Sequence, residues 1–86
     1  MNFLSKKLNV VVTAGASGIG KTIALAYKNE GCRVYTCDVS DEFILSFKSD
    51  APDVFIQKTD IASFDDVKSF FSNVAQQVES IDILIN

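Results

Sequence analysis

The sequence predicts an α/β fold in which a parallel sheet is covered by helices on both faces. Three observations carry this. Short β-branched or apolar runs alternate with amphipathic segments along the whole chain. The first run, Leu8-Asn9-Val10-Val11-Val12-Thr13, lacks the polar alternation of a half-solvated strand, so it reads as buried on both faces. It then empties into the turn Thr13-Ala14-Gly15-Ala16-Ser17-Gly18-Ile19-Gly20, which opens a helical segment. A strand, a glycine-rich turn and a helix in that order aim backbone N–H groups and a helix N-terminus at one point, an arrangement that binds phosphate.

Each element has its own signal. Residues 8–13 form the first strand. Residues 18–30 form a helix, with Ile19, Ile23, Ala26 and Tyr27 on one stripe, Leu25 beside it, and Gly31 placed to end it. Residues 32–38 form the second strand. Residues 41–48 form a shorter helix carrying Phe43, Ile44 and Phe47, and Pro52 punctuates the loop behind it. Residues 54–58 form the third strand. Ser63 caps the next helix, and Asp66 three residues on imitates a capping box. Asp65 and Asp66 suit the positive helix end. The buried stripe of that helix is Phe64, Val67, Phe70, Phe71, Val74, Ala75 and Val78. Residues 81–85 form the fourth strand. The order β-α-β-α-β-α-β implies parallel pairing, right-handed crossovers and the strand order 3-2-1-4, with the fourth strand at an edge.

Bulk properties exclude several classes. Eighty-six residues allow a single domain with a modest core. A net charge of −3 argues against a nucleic-acid surface, which needs a basic patch. No apolar stretch approaches the ~20 residues of a membrane span. The start, Met1 to Lys7, has its charge after a short apolar pair, unlike a signal peptide. A cytoplasmic location is the expectation. Cys32 and Cys37 have odd spacing on one strand, so they face opposite ways and read as buried structural thiols. The sequence has no histidine, which removes histidine-based triads and the usual zinc sites within this chain.

The glycine turn supports two readings. Residues 15–22, Gly-Ala-Ser-Gly-Ile-Gly-Lys-Thr, match G-x-x-x-x-G-K-[ST], the P-loop of nucleoside-triphosphate enzymes. Lys21 would then reach the β- and γ-phosphates, Thr22 would hold magnesium, and Asp38 would stand as a second carboxylate. Residues 13–20 also resemble, with one substitution, the Thr-Gly-x-x-x-Gly-Ile-Gly fingerprint of the short-chain dehydrogenase/reductase family. Four further features fall in that family's order. Gly31 precedes the second strand, and Asp38 closes it. Thr59-Asp60-Ile61 follows the third strand, and Ile81-Asp82-Ile83-Leu84-Ile85-Asn86 resembles the run into the family's Asn-Asn-Ala-Gly motif. The P-loop explains only the turn and Asp38, so the dehydrogenase resemblance is preferred. It covers nearly the whole chain. Residues 1–86 are then expected to be the N-terminal part of one Rossmann-type dinucleotide-binding domain, interrupted after the fourth strand.

The resemblance implies roles. Ala14, Ser17, Gly18, Ile19 and Gly20 would form the pyrophosphate turn, with backbone N–H groups and the Ser17 hydroxyl as donors. Asp38 would accept from the adenosine ribose hydroxyls and repel a 2′-phosphate, favouring NAD over NADP. Neither Ser17 nor Val39 is basic, as an NADP site would want. Val39 would line the adenine slot, Asp60 would accept from the adenine amino group, Ile61 would close the pocket, and Asn86 would lie near the ribose. The family's first glycine is Ala14 here, which calls for a negative φ or a small strain cost.

Hydride transfer in the family depends on a Ser, a Tyr-x-x-x-Lys motif and a supporting Asn, all further along the chain than the Asn-Asn-Ala-Gly region. Tyr27 is followed at that spacing by Gly31 and Tyr35 by Val39, so no catalytic residue is assigned within residues 1–86, and no metal ligand either. The expected partners are a dinucleotide and, for a full-length form, a small-molecule alcohol or carbonyl substrate and further copies of the chain.

Overall fold

A computed structural model describes residues 7–86; the stretch before Lys7, part of the N-terminal reading above, lies outside the described residues. Four strands, β1 (Asn9–Thr13), β2 (Arg33–Asp38), β3 (Phe55–Lys58) and β4 (Ile83–Ile85), alternate with three helices, α1 (Gly18–Asn29), α2 (Asp41–Asp50) and α3 (Phe64–Ala75). The strands form one parallel sheet in the order β3-β2-β1-β4. This is the order expected from the alternation.

β1 is central, and Val10, Val11 and Val12 are all buried. Their side chains alternate between two cores. Val10 and Val12 join Val34, Ala24 of α1 and Phe47 of α2 on one face. Val11 joins Tyr35, Cys37, and Phe70 and Val74 of α3 on the other. Cys32 and Cys37 fall in different cores, both buried and unbridged.

Local signals set the element ends. α1 stops in a paired C-terminal turn: Gly31 N–H donates to the Lys28 carbonyl at 2.9 Å and Cys32 N–H to the Tyr27 carbonyl at 3.1 Å. Gly31 sits at φ 90°, a conformation that favours glycine. Ser40 caps α2, its hydroxyl accepting from Phe43 N–H at 3.2 Å. α2 runs to Asp50, two residues beyond the sequence reading.

Four expectations need correction. In α1 the fully buried residue is Ala24, while Ile19 is 80% exposed and Ala26 is exposed. At about 100° per residue, Ile19 lies roughly 140° and Ala26 roughly 200° from Ala24 around the helix. In α3 the stripe is narrower than its apolar residues suggest. Phe70 and Val74 are buried, but Phe64 is 79% exposed and Ala75 is exposed, at roughly 240° and 140° from Phe70 around the axis. The capping box on α3 is also half-built. Ser63 Oγ accepts from Asp66 N–H at 3.3 Å, but the Asp66 carboxylate accepts from Asp60 N–H at 3.0 Å. Ser63 N–H is already engaged with the Asp60 carbonyl at 2.9 Å, so Asp66 reaches past it.

β4 is shorter than residues 81–85. Asp82 is held by the start of β1 instead: its N–H donates to the Asn9 carbonyl at 2.9 Å, and its carboxylate accepts from Asn9 N–H at 2.7 Å. Ile83 and Ile85 pack half-buried against the core beside α1 and α2, while Leu84, on the other face, is 49% exposed. No helix is long and apolar enough to cross a membrane among the described residues.

Candidate dinucleotide site at the strand ends

The glycine turn lies at the C-terminal end of β1, where it bends over the end of β2. Gly15 N–H donates to the Cys37 carbonyl at 3.1 Å. A Cβ on Gly15 would stand 3.0 Å from Thr36 Cβ and closer still to the Thr36 hydroxyl, so only glycine fits. Thr36 is fully buried, and its hydroxyl donates to the Val12 carbonyl. Gly20 is equally constrained, because a Cβ there would run into the Ala14 carbonyl. Gly18 differs. It has φ 57° and open space around it, so its need for glycine is conformational.

Ala14 adopts φ 53°. The negative φ that an alanine prefers is therefore not taken, and the turn carries left-handed strain of roughly 1–2 kcal/mol. The path from β1 over Thr36 imposes it, because Gly15 must descend onto β2 at the next residue.

α1 begins directly behind this turn. Its first backbone bond within the helix runs from Lys21 N–H to the Ser17 carbonyl, at 3.1 Å. The N–H groups of Gly18, Ile19 and Gly20 precede it and have no intrahelical acceptor. Ser17 occupies the cap position with extended backbone, yet its side chain makes no cap hydrogen bond. The first turn of α1 itself holds no carboxylate to occupy the positive helix end.

Asp38 closes β2 beside the turn. Its Oδ2 accepts from Ala16 N–H at 3.3 Å and its Oδ1 from Ser40 N–H at 3.1 Å. Each oxygen keeps a further lone pair for another donor. A cavity of about 90 Å³ opens between Ala14, Asp38, Val39, Thr59, Asp60 and Ile61. Val39 and Ile61 are 58% and 64% exposed, leaving two apolar walls bare. Asp60 Oδ1 accepts from Ala62 N–H at 2.9 Å, so one carboxylate oxygen shapes the loop into α3.

Five residues singled out from sequence, Ala14, Asp38, Val39, Asp60 and Ile61, thus line one cavity, and Ser17, Gly18, Ile19 and Gly20 form the adjacent helix start. Asn86 lies outside that lining. Its side-chain oxygen accepts from the Thr13 hydroxyl at 3.3 Å, joining the ends of β4 and β1. Thr59 and Thr36 carry structural weight that sequence reasoning did not assign. Both are buried polar residues, Thr36 inside β2 and Thr59 directly after β3.

Lys21 lies in the first turn of α1. Its ammonium pairs with Asp50 at the end of α2, and its side chain is 27% exposed. Thr22 donates to the Gly18 carbonyl at 3.2 Å. The two residues that a P-loop would turn toward triphosphate and magnesium are both engaged within the fold.

Residues 8–86 match the short chain dehydrogenase family. The chain belongs to this family. Among curated short-chain dehydrogenases, it is 32% identical over 79 residues to a short chain dehydrogenase/reductase of Gibberella zeae, covering 88% of this chain and 29% of that one. It is 29% identical over 80 residues to 3beta-hydroxysteroid dehydrogenase 2 of Eggerthella lenta, covering 88% and 31%. Among solved structures, the 2-keto-3-deoxy-D-gluconate dehydrogenase of Streptococcus agalactiae superposes with TM-score 0.85 at 25% identity, over 99% of this chain and 34% of that one. An NADPH dependent reductase involved in bacilysin biosynthesis superposes with TM-score 0.84 at 25% identity, covering 94% and 37%. The chain spans about 30% of the length of these curated relatives. The fold is therefore part of a short-chain dehydrogenase Rossmann sheet, and the family takes nicotinamide cofactors, NAD or NADP. Nothing in these relationships supports a P-loop enzyme.

Proposed function

We propose that residues 1–86 form the adenosine-binding part of a short-chain oxidoreductase domain, and that the site takes NAD in preference to NADP. The observation that carries the preference is the Asp38 carboxylate, set at the end of β2 on the wall of the cavity beside the glycine turn.

The residues fit a dinucleotide. The N–H groups of Gly18, Ile19 and Gly20, the Ser17 hydroxyl and the positive start of α1 suit a pyrophosphate. Open space at Gly18 lets a phosphate approach the backbone. Asp38, already held by two backbone N–H groups, keeps acceptor capacity for two ribose hydroxyls, and its charge opposes a 2′-phosphate. Val39 and Ile61 offer apolar walls to an adenine, with Asp60 beside them as an acceptor for its amino group. Ala14 shapes the near side of the slot, and Asn86, tied to Thr13, keeps the β4 end close to the ribose position.

When bound, the nicotinamide supplies hydride transfer to or from an alcohol or carbonyl carbon. This chain's residues contribute binding and orientation of the adenosine half. Neither Tyr27 nor Tyr35 has a lysine four residues on, so the proton-transfer groups are assigned to chain beyond residue 86. A cytoplasmic, homo-oligomeric full-length enzyme acting on a small molecule is part of the same proposal.

The test is calorimetric titration of NAD and NADP, first into the 86-residue chain and then into a family-length form. NAD binding tighter than NADP, with Asp38→Ala weakening NAD and erasing the difference, supports the assignment. Equal or tighter NADP binding removes it.

A further inference from the structure

We propose that a second cavity, at the opposite end of the sheet, binds a small carboxylate carried on an apolar body. The cavity measures about 260 Å³ and opens where β2 and β3 begin. Arg33, one of its cations, starts β2, and Asp38 ends it roughly 16 Å away at strand spacing. The sheet order leaves β4 on the other side of β1, so a strand added at the β4 edge would not cover it.

The lining is chemically specific. Lys7, Lys28 and Arg33 face a single carboxylate, Asp53, in a chain whose net charge is −3. Asp53 is committed to Lys28 at 3.4 Å. Lys7 and Arg33 are exposed and have no carboxylate partner among the described residues. Arg33 can present a planar pair of N–H donors to a carboxylate. Tyr35 supplies an independent observation. It lines the cavity with its ring largely covered, and its hydroxyl, which makes no hydrogen bond among the described residues, stays open to solvent as a free donor. Beside it stands Phe55, ring centroids 5.9 Å apart, so an aromatic surface adjoins the cations. The volume falls a little below the drug-sized range, which suits a compact ligand. A hydroxyl donor and two unspent cations above an aromatic surface fit a carboxylate with a short apolar or aryl body.

The test follows amide NMR shifts of the 86-residue chain during titration with benzoate, benzyl alcohol and inorganic phosphate. Saturable benzoate shifts at residues 32–35, 54–55 and Gln77, with residues 14–20 unmoved, are expected. Benzyl alcohol and phosphate should each bind at least about tenfold more weakly, one lacking the charge and the other the apolar body, a difference of ~1.4 kcal/mol. Arg33→Gln with Lys7→Gln should weaken benzoate by a similar factor without changing the melting temperature, because both side chains are exposed. Tyr35→Phe should weaken it too, with the ring kept. The absence of saturation up to about 10 mM overturns the proposal. So does benzyl alcohol binding as well as benzoate, or unchanged affinity in Arg33→Gln/Lys7→Gln. Phosphate binding as tightly as benzoate overturns the apolar-body requirement.

Discussion

Gly15 rests directly on the Thr36 side chain, with no room for a Cβ between the glycine turn and β2. The contact explains several features at once. The turn lies low enough for Gly15 N–H to reach the Cys37 carbonyl, and Ala16 N–H to reach Asp38. The end of α1 proposed to face the pyrophosphate is thereby held in register with the carboxylate proposed to read the ribose.

Gly15→Ala should therefore cost about 1–3 kcal/mol as an overpacked contact. The loss should shrink in a Thr36→Ala background, where the hydroxyl is gone. Urea denaturation of the four proteins of this cycle should give a coupling of about 1 kcal/mol. Additive effects would show that the turn does not rest on Thr36.

Ala14→Gly should stabilise the chain. Ala14 sits at φ 53°, where glycine has no Cβ penalty. Relief of the left-handed strain, less the extra flexibility of an unfolded glycine, leaves about 0.5–1 kcal/mol. For a domain of this size that is a rise of roughly 4 °C in Tm. An unchanged or lower Tm would mean the strain is relieved elsewhere in the turn.

Lys21→Ala should leave dinucleotide affinity unchanged. The ammonium is engaged with Asp50, and that pair is partly solvent-exposed, so its loss should cost below about 1 kcal/mol. Magnesium-dependent ATP binding by the unmodified chain, abolished in Lys21→Ala, would revive the P-loop reading. Isothermal titration with Mg-ATP and with NAD on both proteins decides it.

Burial holds the Cys37 thiol above its ordinary value of 9.0, and the neighbouring Asp38 carboxylate adds to this; hydrogen bonds involving the Ala14 backbone and the Thr59 side chain work in the opposite direction. The unfolded chain therefore loses this proton first as pH rises. The stability associated with Cys37 is complete below the unfolded thiol value and declines above it. Urea midpoints measured from about pH 7 to about pH 10 should fall more steeply in the unmodified chain than in Cys37→Ala. In the folded protein the thiol should resist alkylation at neutral pH. Rapid labelling without unfolding would contradict its burial.

Much of this architecture was legible in the residues themselves. Strand–helix alternation, the all-apolar Val10-Val11-Val12, the turn after Thr13 and the stop at Gly31 each depend on short-range chemistry: covered faces, backbone freedom and caps. Together they determined a parallel sheet in the order 3-2-1-4, and a glycine turn beside a strand-end carboxylate. The tertiary structure decided what depends on distance between segments. Which helix faces are buried was one such matter, because a flat sheet selects a narrow stripe, leaving Phe64 and Ile19 in solvent and Ala24 beneath. Packing against β2 also set the left-handed Ala14 and the requirement for glycine at position 15, since no local pattern reveals that Thr36 lies underneath. The place of the Lys21 side chain is another, because its partner Asp50 lies twenty-nine residues away and draws the ammonium onto α2. The cavity at Arg33 has the same origin: Lys7, Arg33, Tyr35 and Phe55 are scattered in sequence and meet only because parallel strands place all their N-terminal ends on one edge.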